Sequence, residues 1–179
     1  DILLLYTDGF EESSRARRGS DFKQLHEKRM VKERDGKETL HDEALVEQLG
    51  EDRIKEATEA IMAGRTFTLV KQDDPLGPET KYTFDFSKLD AGPEDLVIGL
   101  AAVEKVFRLV PDPQVTNKDQ VIIDAKIDAV LSKCWEGYER FCRDVRPNPD
   151  IKHAEYLFYG QIKEDDQYDD LTMMIIKRK

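Results

Sequence analysis

The apolar run at the start of the chain, residues 2–5 (ILLL), constrains the fold most, and YTDGFEE follows it at once. A continuous apolar run of this length, ended by Asp8 and Gly9, predicts a buried β-strand over residues 2–7. An apolar strand without neighbours promotes aggregation. Its partner must therefore come from elsewhere in this chain or from polypeptide outside it. We expect the sequence, which starts without Met, to be an excerpt of a longer protein.

A second apolar run closes the chain. Residues 171–176 (LTMMII) predict a final strand, directly after Asp169 and Asp170. If the first and last strands are antiparallel neighbours, the end of one lies beside the start of the other, and Asp8 and Asp169 converge at one sheet rim. In the alternative interpretation, these carboxylates belong to ordinary solvated turns.

Converging carboxylates repel one another, and a bound cation is one remedy, beside a nearby base or proton sharing. Oxygen ligands without a conveniently placed His or Cys favour Mg²⁺ or Mn²⁺ over zinc. Glu11 and Glu12 could reach a metal through water, although a polar turn beside the strand end explains them equally well.

Composition narrows the function classes. At 179 residues, we expect one domain over residues 1–179. The 28 basic and 38 acidic residues give a formal net charge of −10, which argues against a nucleic-acid partner. No apolar stretch approaches the roughly 20 residues of a membrane span, and we predict a cytoplasmic chain without membrane contact. The cysteines, Cys134 and Cys142, lack zinc-site or disulfide spacing and are expected to be reduced.

Part of the charged stretch after the first strand, residues 11–37, is expected to be a mobile loop. Within it, the spacing of Phe22, Leu25 and Met30 suggests a short helix. A clearer helical pattern covers residues 44–64. Gly50 marks either a break or the boundary between two helices there, and Gly64 closes the second as a cap.

The middle of the chain alternates between strand and helix patterns. Residues 66–70 and 81–86 are rich in Thr, Phe, Tyr and Val, which predicts a hairpin with a long loop. Pro93 opens a strong helix, and a second helix over residues 119–144 is expected to pair with it. A further strand is predicted over residues 154–162. The fold class is therefore α/β of the α+β type, with antiparallel sheets flanked by helices.

The two ends of the chain together, ILLLYTDGFEESS and YDDLTMMIIKRK, resemble the closing half of the metal-dependent serine/threonine phosphatases of type 2C. Within that family, they are most similar to the bacterial branch of stage-II-sporulation-E-like and sigma-factor-regulating phosphatases. The resemblance implies that Asp8 and Asp169 bind metal and that Gly9, Asp170 and Thr172 support them. It also covers the Leu-Gly-x-x-Arg-Ile feature at residues 49–54.

This resemblance implies a partial phosphatase sandwich and a specific chemistry. Two Mn²⁺ or Mg²⁺ ions would activate water for hydrolysis of phosphoserine or phosphothreonine on a regulatory protein. The family's two earlier aspartate motifs do not occur in these 179 residues, so we expect the isolated chain to be inactive. Residues 66–150 exceed what the family needs and form an insertion. The alternative is a non-catalytic interaction or dimerisation module, and the exposed first strand would suit a homodimer.

Three arginines lie just past the first motif: Arg15, Arg17 and Arg18. They could contact a substrate phosphate. The competing interpretation places them in a solvated mobile loop. The histidines, His26, His41 and His153, are expected to have surface or capping roles.

Overall fold

The computed structural model describes residues 2–21, 23–72, 77–90, 92–111, 123–145, 162–164 and 171–178. It contains short antiparallel sheets and helices, which confirms the mixed α and β class. The strands are β1 Ile2–Tyr6, β2 Ser14–Ala16, β3 His26–Lys32, β4 Glu38–Ala44, β5 Val46–Gln48, β6 Thr66–Lys71, β7 Thr80–Asp85, β8 Leu109–Pro111, β9 Ile162–Glu164 and β10 Met173–Lys177. The helices are α1 Asp8–Glu11, α2 Glu51–Met62, α3 Pro93–Arg108, α4 Ala125–Cys134 and α5 Tyr138–Val145, with a 3-10 turn at Phe86–Lys88.

The first and last strands form one sheet, which is the condition under which Asp8 and Asp169 were expected to converge. β1 pairs antiparallel with β10, with Ile2 opposite Lys177 and Tyr6 opposite Met173. Alternate side chains of the pair face the core: Leu4, Tyr6, Met173 and Ile175. The other large side chains of the pair are about half exposed: Leu3, Leu5, Met174 and Ile176. The sheet therefore has an inner face on the core and an outer apolar face.

Helix α3 is the centre of the core. Pro93 occupies its first turn, and the Asp95 carboxylate accepts a hydrogen bond from the Gly92 N–H at 3.3 Å, so the helix starts where the sequence predicted. Its buried stripe packs against α2, α4 and β10. The approach to α2 is close, since a Cβ on Gly99 would lie 2.9 Å from Ile61 Cδ1. The absence of a side chain at Gly99 lets the two helices meet.

The hairpin β6–β7 supplies an aromatic layer, which confirms the predicted hairpin. Phe67 lies opposite Phe84 in the ladder, with ring centroids 6.2 Å apart. Phe84 also stacks on Phe86 and Trp135, at 5.6 and 6.5 Å. All four rings are buried, which makes this hairpin part of the core.

The predicted loop with a short helix over residues 11–37 is wrong, because residues 26–44 form a second hairpin. β3 and β4 pair in register from His26 opposite Ala44 to Lys32 opposite Glu38. Gly36, at φ 85°, supplies the backbone conformation that turns the chain between them. Paired strands satisfy the backbone groups without any apolar stripe, so a charged sequence can adopt this structure.

The helix predicted over residues 44–64 begins later than expected. Val46–Gln48 is strand β5, which pairs with β2, and α2 starts only at Glu51. Gly50 has φ 78°, a left-handed conformation that interrupts a helix, and Gly64 at φ 58° closes α2 as predicted. Gly50 therefore separates a strand from a helix, and both alternatives, a break within one helix and a boundary between two helices, are wrong.

The second long helix is also divided. α4 ends at Cys134 and α5 begins at Tyr138. Between them, Trp135 bridges to Phe84 and the Glu136 N–H donates to the Thr83 carbonyl at 3.2 Å. Edge pairing with β7 therefore competes with helical continuation at this point. Residues 119–122 and 154–161 of the predicted helix and strand lie outside the described residues.

Both cysteines are free, as predicted. Cys134 is buried, and this burial raises its pKa to about 11. Among the described helices, none has the length and apolar character needed to cross a bilayer.

Candidate functional site

Two threonines join the ends of the chain at the rim where the metal site was predicted. The Thr7 N–H donates to the Thr172 carbonyl at 3.0 Å, and the Thr172 N–H donates to the Thr7 hydroxyl at 3.2 Å. Thr7 precedes α1, yet its side chain does not cap that helix. Its hydroxyl instead extends the β1–β10 pairing by one step, which positions Asp8 next to the chain segment that leads into β10.

Asp8 is the first residue of α1 and is exposed to solvent at this rim. Its carboxylate accepts a hydrogen bond from the Gly9 N–H at 3.1 Å. Gly9 is buried and helical, whereas positive φ values among the described glycines occur at Gly36, Gly50 and Gly64. The Asp8 carboxylate is therefore oriented by the first turn and open to a ligand.

The surroundings of the rim are acidic. The pKa of Tyr6 is raised above its usual value of 10, first by burial and then by the carboxylates of Glu11 and Glu51. The Gly50 N–H donates to the Glu11 carbonyl at 2.9 Å, which brings the start of α2 next to α1. Three acidic side chains, including Asp8, thus lie at or near one end of the sheet, an electrostatic setting that favours a cation.

Metal ligation by the described residues alone is incomplete. Asp169 and Asp170 lie outside the described residues, and Thr172 is exposed at the rim. Within the described ranges, no three His, Cys, Asp or Glu side chains converge on one point. Of the predicted ligands, Asp8 lies in the described part of the chain and Asp169 does not, and metal binding by either residue stays a prediction.

The arginines predicted as phosphate contacts are not in a mobile loop. Arg15 belongs to β2 and is only 1% exposed, with Nη2 2.6 Å from Glu47 Oε2. Arg18 is also buried and donates to the Ala16 carbonyl at 3.0 Å. Arg17 is partly buried, and its backbone N–H donates to the Leu45 carbonyl at 2.9 Å. A role in phosphate binding stays a prediction, which the burial of Arg15 does not favour.

Arg15 instead belongs to a buried ionic cluster that the sequence did not reveal. Glu47 accepts from both Arg15 and Arg53, at 2.6 and 2.5 Å. The guanidinium carbons of the two arginines lie 5.8 and 5.5 Å from the centroid of the Phe107 ring, within the range of cation–π attraction. The cluster connects β2 and β5 to α2 and α3.

A second buried pair lies on the same helix as Phe107. Glu104 and Arg108 are 2% and 7% exposed and form an ion pair one turn apart. Glu104 also accepts from the Ser13 hydroxyl at 2.7 Å. The sequence signal for this ion pair was the i, i+4 spacing of Glu104 and Arg108 within an otherwise apolar helix. Such a pair is usually solvated, and only the folded structure shows that this one is buried.

No family model, no curated protein and no solved structure matches this chain. The phosphatase resemblance therefore rests on the two terminal motifs and on what their positions imply.

Proposed function

We propose that this chain provides the Asp8 and Asp169 ligands of a divalent-metal site that hydrolyses phosphoserine or phosphothreonine on a regulatory protein. The observation that carries the proposal is the reciprocal pairing of Thr7 with Thr172. It supports the juxtaposition of the two motifs, since Asp8 directly follows Thr7 and Asp169 precedes Thr172 by three residues.

The short stretch of chain between Asp169 and Leu171 is compatible with a metal site shared by Asp8 and Asp169. Asp169 is two residues before Leu171 in the sequence. Consecutive Cα atoms are about 3.8 Å apart, so its Cα lies within about 8 Å of that of Leu171. Leu171 directly precedes Thr172, which pairs with Thr7 at the same rim as Asp8. A tether of this length allows the Asp169 carboxylate to reach that rim.

The residues of this chain would hold and orient the ions. Asp8 and Asp169 would ligate Mn²⁺ or Mg²⁺, with Gly9, Asp170 and Thr172 as supporting positions in a partial type-2C sandwich. Such ions, when bound, supply water activation and neutralise phosphate charge. Neutralisation matters here, because a chain with a formal net charge of −10 repels a phosphoprotein.

Metal binding by the chain is tested by titrating Mn²⁺ into ¹⁵N-labelled protein and measuring paramagnetic broadening. We expect broadening centred on Asp8 and Leu171, and its loss in Asp8→Asn and in Asp169→Asn. The matched control is Glu136→Gln, which removes an exposed carboxylate from the α4–α5 turn. Broadening centred elsewhere, or unchanged in both aspartate variants, would contradict the metal assignment and favour the non-catalytic module.

Catalysis is tested in the complete natural protein with p-nitrophenyl phosphate and a phosphoserine peptide. We expect Asp8→Asn and Asp169→Asn each to lower Mn²⁺-dependent turnover at least about 100-fold, the order of loss when one preorganised electrostatic group is removed. The unfolding midpoint should not change. Full turnover in either variant would refute the assignment. The 179-residue chain alone should be nearly inactive, because the two earlier aspartate motifs do not occur in it.

A further inference from the structure

The β3–β4 hairpin presents one face with an ordered pattern of charge and apolar surface. In an antiparallel ladder, directly opposite residues share a face. The register therefore places eight side chains on one face, which ends with His26 and Ala44, and His26 Nδ1 lies 3.7 Å from Asp42 Oδ1. We call the other six the arm face: Lys28, Met30, Lys32, Glu38, Leu40 and Asp42. The residues of these two strands are exposed, apart from partial burial of Val31 and Ala44. The side chains of this hairpin therefore lie mostly outside the core of the described part of the protein.

A two-stranded hairpin in water is marginally stable by itself. This one carries two large apolar side chains at the centre of the arm face: Met30 is 56% and Leu40 59% exposed, and they lie opposite one another. Covering this pair would stabilise the hairpin.

Charge on the arm face is divided by strand. Each basic side chain of β3 faces an acidic one of β4: Lys28 lies opposite Asp42, and Lys32 lies opposite Glu38. The apolar row of Met30 and Leu40 separates these two charged rows. The face therefore reads basic–apolar–basic along β3 and acidic–apolar–acidic along β4.

This pattern is complementary to itself. Consider two arm faces stacked on each other, with a two-fold axis between them that runs parallel to the strands. This axis places β3 of one copy over β4 of the other. It leaves the position of each cross-strand pair along the strand direction unchanged. Lys28 then faces Asp42 of the second copy, Lys32 faces Glu38, and Met30 faces Leu40. An axis perpendicular to the strands would stack β3 on β3, with like charges in contact. We propose that two copies of this chain associate through their arm faces about an axis parallel to the strands.

The opposite face of the hairpin lacks this pattern. It places Glu27 opposite Glu43, a like-charged pair. Near the turn, Glu33 accepts from the Thr39 hydroxyl at 2.7 Å and lies 2.8 Å from His41 Nε2. The arm face, in contrast, combines the exposed Met30–Leu40 pair with opposite charges on its two strands, so it is the side of the hairpin that gains from a second copy.

The expected dimer is weak. Seven residues at about 3.4 Å each and two strands about 5 Å apart cover a narrow strip. The strip buries an area well below the roughly 1,200 Å² of stable complexes. Association should therefore appear at high micromolar protein and exchange rapidly.

The proposal is tested by sedimentation and by ¹⁵N shift changes on dilution of the whole chain. The variant Lys28→Glu with Lys32→Glu makes the arm face wholly acidic, and we expect self-association at least about tenfold weaker, since like charges then face each other. The variant Glu38→Lys with Asp42→Lys makes it wholly basic and should also be monomeric. Mixing the two should restore association, because acidic and basic strands again face each other.

A fourfold variant combines Lys28→Glu, Lys32→Glu, Glu38→Lys and Asp42→Lys. It distinguishes loss of association between copies from loss of the folded hairpin. Combining all four substitutions reverses both strands, which keeps opposite charges across the ladder and leaves the net charge unchanged. It should associate with itself as wild type does, because opposite charges again face each other between the two copies. The control, Arg29→Glu with Lys37→Glu, lowers the net charge by four, as the acidic variant does, because two cations become two anions. It lies off the arm face and should retain most of the association.

Three outcomes would overturn the proposal. The first is a wild-type chain that stays monomeric at about 1 mM, a concentration at which weak complexes form. The second is a fourfold variant that does not associate with itself, and the third is association that persists in the acidic variant and is lost in Leu5→Asp. The last result would assign the contact to the outer face of the β1–β10 sheet.

Discussion

The chain contains two antiparallel hairpins of similar length with opposite environments. In β6–β7, the side chains of Phe67, Leu69 and Phe84 are at most 2% exposed. In β3–β4, the residues are exposed except for Val31 and Ala44, which are partly buried. Both have regular ladders, with seven pairs in β3–β4 and six in β6–β7. Backbone pairing therefore does not distinguish them.

Their difference lies in side-chain periodicity. β6 alternates Thr with Phe and Leu, so one face is apolar and packs on the core. β3 reads HEKRMVK, in which charged residues occupy both faces. A ladder satisfies backbone groups in either case, and burial of one apolar face determines which hairpin contributes most to stability. The predictions below test this distinction, from the largest expected effect to the smallest.

Truncating the buried hairpin should have the largest effect. Phe84→Ala removes a ring in contact with Phe67, Phe86 and Trp135, and we expect a loss of about 3–5 kcal/mol in the free energy of unfolding. Trp135, the single tryptophan, reports urea unfolding by fluorescence. The control Met30→Ala in β3 should change stability by less than about 0.5 kcal/mol. Equal losses in both would remove the distinction between the hairpins.

Removing the one charge on the inward face of β6 should have the second-largest effect on the free energy of unfolding. Lys71 is 2% exposed, donates to the Leu109 carbonyl at 2.7 Å and lies 4.5 Å from the Tyr82 ring centroid. Lys71→Ala deprives a buried carbonyl of this donor and should cost about 1–3 kcal/mol. Arg29→Ala, on the exposed hairpin, should be near neutral by the same urea assay. A neutral Lys71→Ala would show that this buried contact contributes nothing net.

A charge change on β3 should stabilise the exposed hairpin. Glu27 lies opposite Glu43, and like charges directly opposite destabilise a sheet. Glu27→Lys should strengthen β3–β4 by about 0.2–1 kcal/mol, measured as slower amide hydrogen exchange in residues 26–44. Exchange in β6–β7 should not change. Faster exchange in the exposed hairpin would contradict the pairing.

The smallest effect depends on pH. The pKa of Glu33 is lowered below its ordinary 4.5, because its carboxylate accepts a hydrogen bond from Thr39 and, second, interacts with His41. The Glu33 carboxylate therefore stabilises the folded hairpin above its ordinary pKa, and that contribution is lost as pH falls through the lowered value. Glu33→Gln should reduce amide protection near the turn at neutral pH. The difference from wild type should vanish as pH falls through the lowered pKa of Glu33, and a difference that grows in acid would refute this.

Several elements follow from local sequence because their signals are local. The apolar run of β1, the alternation in β6, Pro93 at the start of α3 and Gly64 at the end of α2 each predicted the observed element. The sequence indicated that β1 and β10 are apolar runs that require a partner, but it left open whether they pair with each other, and the structure shows that they do. For the candidate site, this pairing supports the position of Asp8, while the placement of Asp169 stays a prediction.

Other features depended on contacts between distant residues. The α4–α5 break at Trp135 arises from pairing with Phe84 on β7. The β3–β4 hairpin arises from a ladder between strands without an apolar stripe. Neither leaves a periodic signal within its own segment, and propensity alone favoured a continuous helix in the first case and a loop in the second.

By itself, the sequence determined where apolar faces occur, where α2 stops and α3 starts, and that carboxylates follow the first strand and precede the last. Tertiary structure decided which charges are buried. Arg15 and Glu47 are 32 positions apart, and Ser13 bonds Glu104 across 91 positions. Burial of a charge is tolerated only when an opposite charge or a hydrogen-bonding partner is present. Because that partner comes from a distant part of the chain, the local pattern around Arg15 predicted a solvated loop, and the folded protein places it in the interior.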